Sequence, residues 1–211
     1  MSTTVPHSVP PRPSRREASS VTAIRCLIVD DHPAIRVGLR ELLSDEPDFT
    51  VVAAVGSAEE AVAFAQDHPL DVAIIDYQLG GRSGLWASRK LARLAEPPAR
   101  LIYSAYSDAV LAAACVVAEA SGLVSKAALG TELCDRIRQA AAGETHLPMV
   151  PPSLAEGMRR RLDTQEQAIF GLMLSGSGPD EVGRTLGIPY GELEARLWSM
   201  LRKLEWLDRG R

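Results

Sequence analysis

The stretch CLIVDDHP, residues 26–33, is an apolar run that stops at two adjacent aspartates, Asp30 and Asp31. Two neighbouring carboxylates at the end of a buried strand repel each other, and burial raises the cost of keeping both ionised. A bound divalent cation would offset that cost. The alternative is that one aspartate caps the next helix, with Pro33 at its first position. His32 is expected to be an exposed turn residue rather than a ligand.

Four similar apolar runs follow, separated by segments of helix length. The five runs are rich in β-branched residues and almost continuously apolar, as parallel strands buried on both faces are. They lie at residues 25–30, 50–55, 71–76, 100–105 and 122–126. Five strand–helix units predict an α/β fold with a doubly wound parallel sheet.

Polar side chains stand at the carboxyl ends of these strands, where open parallel sheets carry their functional crevice. Besides Asp30 and Asp31, they are Asp76, Ser104 and Lys126. Three carboxylates suit Mg²⁺, and Asp76 is placed to be a nucleophile that forms an aspartyl phosphate. Lys126 and Ser104 can bind phosphoryl oxygens. Each residue also has a plainer role in a turn, in the core or on the surface, but their joint position favours a site.

The rest of the chain differs in composition from this region. Residues 1–22 hold prolines and arginines without an apolar stretch, which predicts a disordered tail and no signal peptide. Residues 23–143 hold the strand–helix units, residues 144–154 a proline-bearing linker, and residues 155–211 helices only. No apolar run reaches membrane-spanning length, so no membrane association is expected.

Charge and cysteine content narrow the class of protein further. The net charge of −4 gives no general attraction to nucleic acid, so DNA binding would need a local basic patch. The three cysteines, Cys26, Cys115 and Cys134, are far apart in sequence and form no Cys-x-x-Cys pair. This pattern argues against a disulfide framework or a zinc site and indicates a cytoplasmic protein.

The motifs VDDHP, IIDYQLGGRSG, YSAYSD and GLVSK occur in the order and spacing of a known domain. Through them, residues 25–143 resemble the receiver domain of two-component response regulators. The resemblance implies a flavodoxin-like five-stranded fold, Mg²⁺ as cofactor, and a phosphoacceptor at Asp76 that a sensor histidine kinase phosphorylates. The implied metal ligands are Asp30, Asp31, Asp76 and the backbone carbonyl of Gln78. The implied phosphoryl-binding and switch residues are Ser104, Ala105 and Lys126.

Two residues depart from the receiver pattern. Gly80 stands where a proline is usual, which should loosen the turn after the phosphoacceptor. Leu123 stands where the family has its switch aromatic, so no ring movement can report phosphorylation at that position. Tyr106 is the nearby aromatic that we consider as a substitute.

Residues 162–204, LDTQEQAIFGLMLSGSGPDEVGRTLGIPYGELEARLWSMLRKL, resemble the helix-turn-helix output domain of NarL/LuxR (FixJ) regulators without a gap. The apolar positions expected to close a three-helix core are Leu162, Ile169, Leu172, Val182, Leu186, Ile188, Leu193, Leu197, Leu201 and Leu204. The implied contacts to double-stranded DNA are Arg184, Glu192, Glu194, Arg196, Ser199 and Lys203. The family continues into a fourth helix that helps form a homodimer, and this helix is expected to be truncated here.

DNA binding itself stays open at this point. Glu192 and Glu194 stand where these regulators commonly have threonine and lysine, and carboxylates repel phosphates. Residues 155–211 hold nine basic and nine acidic residues, so their net charge is zero. A glutamate can nevertheless accept a hydrogen bond from cytosine. We expect a transcriptional regulator, or alternatively a phospho-dependent regulator whose helix-turn-helix binds a protein.

An enzyme is the third hypothesis, and we do not expect it. Phosphohydrolases of the haloacid dehalogenase type also use a strand-end aspartate and Mg²⁺. The motif of that family resembles Asp-x-Asp, whereas Asp30 and Asp31 are adjacent in this chain.

Overall fold

The computed structural model describes the backbone of residues 23–208 and the side chains of residues 23–204. The predicted tail, residues 1–22, lies outside the described residues. The strands are β1 Ile24–Val29, β2 Phe49–Val55, β3 Val72–Asp76, β4 Ala99–Ser104 and β5 Gly122–Ser125. The helices that alternate with them are α1 Pro33–Ser44, α2 Ala58–Asp67, α3 Gly84–Leu91, α4 Ala109–Val117 and α5 Gly130–Ala141. The helices that follow are α6 Pro152–Arg159, α7 Thr164–Leu174, α8 Pro179–Leu186 and α9 Tyr190–Asp208.

The five strands form one parallel sheet in the order β2-β1-β3-β4-β5, which confirms the predicted flavodoxin-like fold. The strand order reverses between β1 and β3, and this switch point is where open α/β sheets bind ligands. Asp30 follows β1 and Asp76 ends β3. The fold therefore brings two of the predicted acidic residues to its switch point.

Helix α4 determines how the C-terminal helices pack. Its sequence AVLAAACVV is apolar on all sides, and a helix of this kind is stable only when it is buried all round. One face of α4 packs on the sheet, and α6, α7 and α9 contact it as well. One hydrophobic cluster consequently runs from the sheet through α4 to Phe170, Leu197 and Leu201. The receiver region and the C-terminal helices share a core.

The C-terminal helices form the predicted helix-turn-helix. Asp163 and Glu166 make a reciprocal capping box that starts α7, and Pro179 occupies the first turn of α8. Gly187 ends α8 with a φ of +65°, a conformation that favours glycine, and the chain then turns into α9. Of the predicted core positions, Leu172 and Leu186 are half-buried and the others are buried.

The boundary expected between linker and output domain, at residues 154/155, falls inside α6. Helix α6 packs on α4 through the buried side of the helix, which includes Met158. Proline in the first turn starts this helix. Within the described residues, no helix combines the length and the apolarity needed to cross a bilayer.

Candidate functional site

Two buried carboxylates and one ammonium group form the centre of the candidate site. Asp30 is 1% exposed and Asp76 is 4% exposed. Lys126, just after β5, places its Nζ 2.7 Å from Asp30 Oδ2 and 3.0 Å from Asp76 Oδ2. Asp30 Oδ1 also accepts a hydrogen bond of 2.8 Å from the backbone N–H of His32. The lysine thus holds together two acidic groups that would otherwise repel each other.

The pKa values in this site reflect burial and the three neighbouring charges. Burial raises the pKa of Asp76, the negative charge of Asp30 raises it further, and Lys126 partly opposes both effects. Burial lowers the pKa of Lys126, but its hydrogen bonds to the two carboxylates outweigh this effect and leave that pKa raised. Lys126, with a smaller contribution from the backbone N–H of Gln78, therefore favours an ionised Asp76, and a carboxylate must be ionised to act as a nucleophile.

The third acidic residue provides a test of whether this site suits a metal ion. Asp31 Oδ1 is buried and no hydrogen bond reaches it, although His32 Nδ1 lies 2.7 Å away. Oxygen and nitrogen atoms of Asp30, Asp31, His32 and Asp76 lie within 4.8 Å of one another. A buried carboxylate oxygen that accepts no hydrogen bond, beside two further carboxylates, fits a hard cation such as Mg²⁺. Imidazole suits softer metals, so His32 is the least suited of the four.

The remaining predicted receiver residues lie around this centre. Ser104 is buried at the end of β4, and its Oγ accepts a hydrogen bond of 3.0 Å from the backbone N–H of Tyr106. Ala105 is exposed. Gln78 is exposed too, and its backbone N–H donates to Asp76 Oδ1 over 3.3 Å. Ser104 has no described contact with the Asp76 carboxylate, so these residues share an edge of the sheet without forming one hydrogen-bonded network.

The structure shows the surroundings of the two residues that depart from the receiver pattern, Leu123 and Gly80. Leu123 is 8% exposed and packs in the core cluster that includes α4. Tyr106, the aromatic considered as a substitute, is 55% exposed and lies outside that core. Gly80 is exposed, and a Cβ there would be 3.5 Å from Asp31 Oδ2, which is ordinary contact.

Sequence reasoning missed two residues that support the site. Arg36 Nη1 donates to the carbonyl of Asp30 over 2.6 Å and so fixes the backbone that carries the acidic pair. Gly84, at the start of α3, lies so near the phosphoacceptor strand that a Cβ would be 2.1 Å from the carbonyl oxygen of Asp76. The glycine in the sequence RSG was the signal for this close approach, whereas an arginine in a first helical turn carries no such signal.

Most of the predicted DNA contacts are engaged within the helix-turn-helix. Arg196 pairs with Glu192 over 3.1 Å and with Asp163 over 3.4 Å. Lys203 forms a close ion pair with the buried Glu166. Ser199 is half-buried. Arg184 and Glu192 are exposed, and among the described residues no carboxylate pairs with Arg184.

Glu194 has partners that sequence reasoning did not assign to it. This residue was expected beside a DNA-facing surface, but its Oε1 accepts hydrogen bonds from Arg89 Nη2 at 2.6 Å and Arg93 Nε at 2.7 Å. Arg89 also pairs with Glu119 over 2.7 Å, and its side chain is fully buried. Because the apolar α4 must be covered, α9 packs against it, and Glu194 then meets the arginines of α3.

We call Arg89, Arg93, Glu119 and Glu194 the interdomain ion cluster. Burial lowers the pKa of Arg89, whereas Glu119 and Glu194 raise the pKa of Arg93 despite its own burial. Sequence reasoning missed the first three members, because long-range ion pairs leave no periodic pattern. Glu119 has a φ of +57°, a conformation that is uncommon outside glycine.

Comparisons with known proteins agree with this geometry. The family profile of the response regulator receiver domain matches residues 26–138, more than half of the chain. The response regulator UvrY of Escherichia coli (strain K12) is 27% identical over 191 residues, which cover 86% of this chain and 88% of UvrY. The transcriptional regulatory protein UhpA of Salmonella typhimurium (strain LT2) is 29% identical over 182 residues, which cover 86% of this chain and 91% of UhpA.

A solved structure points to the same group of proteins. The two-component response regulator of the LuxR family from Aurantimonas sp. has a TM-score of 0.57 and 30% identity, over 64% of this chain and 94% of that chain. A receiver fold with an acidic site at its switch point, joined to a helix-turn-helix, defines a class of signalling protein. The chain belongs to the response regulators, and it is of the NarL/LuxR type.

Proposed function

We propose that this response regulator accepts a phosphoryl group on Asp76 from a sensor histidine kinase and then controls transcription through its C-terminal helices. The observation that carries the proposal is the contact of Lys126 with both Asp30 and Asp76, beside a third carboxylate, Asp31. The protein acts as a switch and not as an enzyme. Three free cysteines accord with a reducing cytoplasm.

In the proposed reaction, an oxygen of the ionised Asp76 attacks the phosphorus of a phosphohistidine. A P–O bond forms, the P–N bond breaks, and the imidazole nitrogen leaves with the electron pair. Mg²⁺, held by Asp30, Asp31, Asp76 and the Gln78 carbonyl, would neutralise charge on the phosphoryl oxygens. Lys126 already contacts Asp76 Oδ2, so its ammonium group is placed to follow a phosphoryl group on that residue.

Ser104 has the proposed switch role. Its Oγ accepts a hydrogen bond from the N–H of Tyr106, so its own hydroxyl proton is available for a phosphoryl oxygen. A turn of this hydroxyl towards Asp76 would release the Tyr106 backbone. The loop before α4 would thereby lose an anchor, and Leu123 would need no ring movement for this change.

Phosphotransfer can be tested with a matched pair of variants on one strand. Asp76→Asn should abolish Mg²⁺-dependent labelling by acetyl phosphate, because the amide cannot act as the nucleophile. Asp71→Asn is the control, since Asp71 precedes the other end of β3 and binds Arg25. It should keep labelling near the wild-type level. Undiminished aspartyl phosphate in Asp76→Asn would overturn the assignment.

Transcriptional output rests on the helix-turn-helix and on relatives such as UhpA, whose name is that of a transcriptional regulatory protein. In this proposal, double-stranded DNA meets the exposed Arg184 and Glu192 together with Arg196, Ser199 and Lys203, and phosphorylation favours a homodimer. Selection of random duplexes with and without beryllofluoride tests it, with affinity measured as a function of salt. A selected motif supports transcriptional control.

A protein partner is the second candidate for the output. The pairing of Glu194 within the interdomain ion cluster favours it, because this part of α9 is turned towards the receiver region. No enriched duplex in either state, together with a flat salt dependence, would favour this candidate over DNA.

A further inference from the structure

A cleft of about 510 Å³ lies between the receiver region and the helix-turn-helix. One wall is the loop that follows β3 together with α3, and the other wall is α9. Its size is that of a small-molecule site, for which volumes of about 300–1,000 Å³ are usual. The lining residues that matter here are Arg82, Trp86, Lys90, Trp198, Leu201 and Arg202.

The lining of this cleft, which we call the tryptophan cleft, carries positive charge and no acidic residue. Arg82 has only a loose contact of 3.7 Å with the exposed Glu59. Within the part of the chain whose side chains are described, Lys90 and Arg202 have no carboxylate within ion-pair distance. The whole chain has a net charge of −4, so this local excess does not follow from overall composition. A bound anion would neutralise this positive charge.

Two half-buried indole rings give the tryptophan cleft an apolar, aromatic surface. The centroids of Trp86 and Trp198 are 6.5 Å apart, and the buried Leu201 lies beside them. Lys90 Nζ lies 5.8 Å from the centroid of Trp86 and 5.6 Å from that of Trp198. The Arg82 guanidinium lies 5.0 Å from Trp86. These two exposed cations lie over the ring faces, and the buried Arg89 guanidinium lies 5.5 Å from the centroid of Trp198 as well.

These cation–ring contacts are easily exchanged for contacts with a ligand. Lys90 and Arg82 are exposed and have long flexible side chains, and cation–π contacts at such positions are weak. An aromatic group that stacks on an indole ring would displace a cation, and a phosphate on the same ligand would bind it again. Stacking of a nucleic-acid base on an aromatic side chain is favourable for every base.

We propose that the tryptophan cleft binds a nucleotide, with the base against Trp86 or Trp198 and the phosphate bound by Arg82, Lys90 and Arg202. Because the two walls belong to different domains, the bound nucleotide contacts both of them. It therefore stabilises the docked arrangement, by the difference between its binding free energies for the docked and the separated domains. The inference does not depend on phosphorylation of Asp76 or on DNA binding.

Isothermal titration calorimetry on the full chain tests this proposal. The titrants are AMP, GMP, CMP, UMP, adenosine and inorganic phosphate, all at matched ionic strength. At least one mononucleotide should bind with a dissociation constant below about 1 mM, and at least about tenfold more tightly than inorganic phosphate. Lys90→Ala and Trp86→Leu should each weaken that binding by about tenfold or more.

Control variants separate a built site from general charge attraction. Arg202→Ala alters an exposed residue, so it should weaken binding without affecting the fold. It replaces Trp86→Leu as the test if that variant is unstable. Arg40→Ala removes an exposed arginine from α1, whose Leu39 and Leu43 pack in a core cluster with α5 and not with α3 or α9, and should leave affinity unchanged. Absence of saturable binding for all four mononucleotides would overturn the proposal. Equal binding of inorganic phosphate, or an equal loss in Arg40→Ala, would overturn it as well.

Discussion

Glu192 and Glu194 allow the interdomain ion cluster to be tested with two matched variants of one helix. Glu194→Gln removes a charge that accepts hydrogen bonds of 2.6 Å from the buried Arg89 and 2.7 Å from Arg93. Hydrogen bonds to charged groups contribute about 1.5–3 kcal/mol each, and the amide oxygen can keep part of this. Glu119 still pairs with both arginines. We therefore expect a net loss of about 2 kcal/mol.

Glu192→Gln is the control, because it is the same substitution two residues away. Glu192 is exposed and pairs with Arg196 over 3.1 Å, one helical turn along α9. Such exposed pairs contribute about 0.3–0.5 kcal/mol. The two variants should thus differ by about 1.5 kcal/mol in the free energy of unfolding, although the sequence places both residues on the same helix.

Equilibrium urea denaturation followed by far-UV circular dichroism measures this difference. Hydrogen exchange locates it, since Glu194→Gln should accelerate exchange most in α4, α3 and α9, which meet at the cluster. Equal stability of the two variants, or faster exchange confined to α9, would refute the reasoning. Glu194 would then be an exposed residue in solution, as the sequence suggested.

Three further predictions concern the receiver region. Gly84→Ala should cost at least about 2 kcal/mol and impair phosphorylation, because its Cβ would be 2.1 Å from the Asp76 carbonyl oxygen. Gly81→Ala, which has no atom within 4 Å of its Cβ, should stay within about 0.5 kcal/mol of wild type in the same denaturation assay. Beryllofluoride should change hydrogen exchange over residues 104–122, and identical protection in both states would leave no switch despite the core position of Leu123. The native protein should resist Ellman's reagent at pH 8, because all three thiols are buried and burial raises the pKa of Cys26 to about 12. Three reactive thiols should appear only on unfolding, and a thiol reactive in the native state would contradict the packing at Cys26, Cys115 or Cys134.

The fold could be predicted because its determinants are local. Each strand is a short apolar run, and all but β2 end at or next to a polar residue, so most strand ends could be predicted from the sequence. The acidic centre followed from topology, since parallel strands bring their carboxyl ends to one edge. The boundary between linker and output domain is harder to place, because Pro152 starts α6 and a proline-rich sequence resembles a linker when its neighbours in space are unknown.

The position of Glu194 could not be predicted in the same way. The three-helix core fixes which side of α9 faces inward, and this part of the prediction was confirmed at Leu193, Leu197, Leu201 and Leu204. The environment of the remaining sides depends on docking between domains. The apolar sequence of α4 indicates this docking, because its outer face must also be packed against another element. The helix was predicted as a receiver element, but its second face was not assigned a partner.

Helix α4 also connects the candidate phosphorylation site with the output helices. Ser104 holds the N–H of Tyr106, and two residues later Asp108 caps α4 by accepting hydrogen bonds from Val110 and Leu111. A change at Ser104 therefore acts on the start of a helix that is packed between the sheet and α9. Because close-packed interfaces do not deform continuously, α4 can move only if its contacts with α9 also change. The interdomain ion cluster and the shared apolar core both add to the free energy that any separation of α4 from α9 would require.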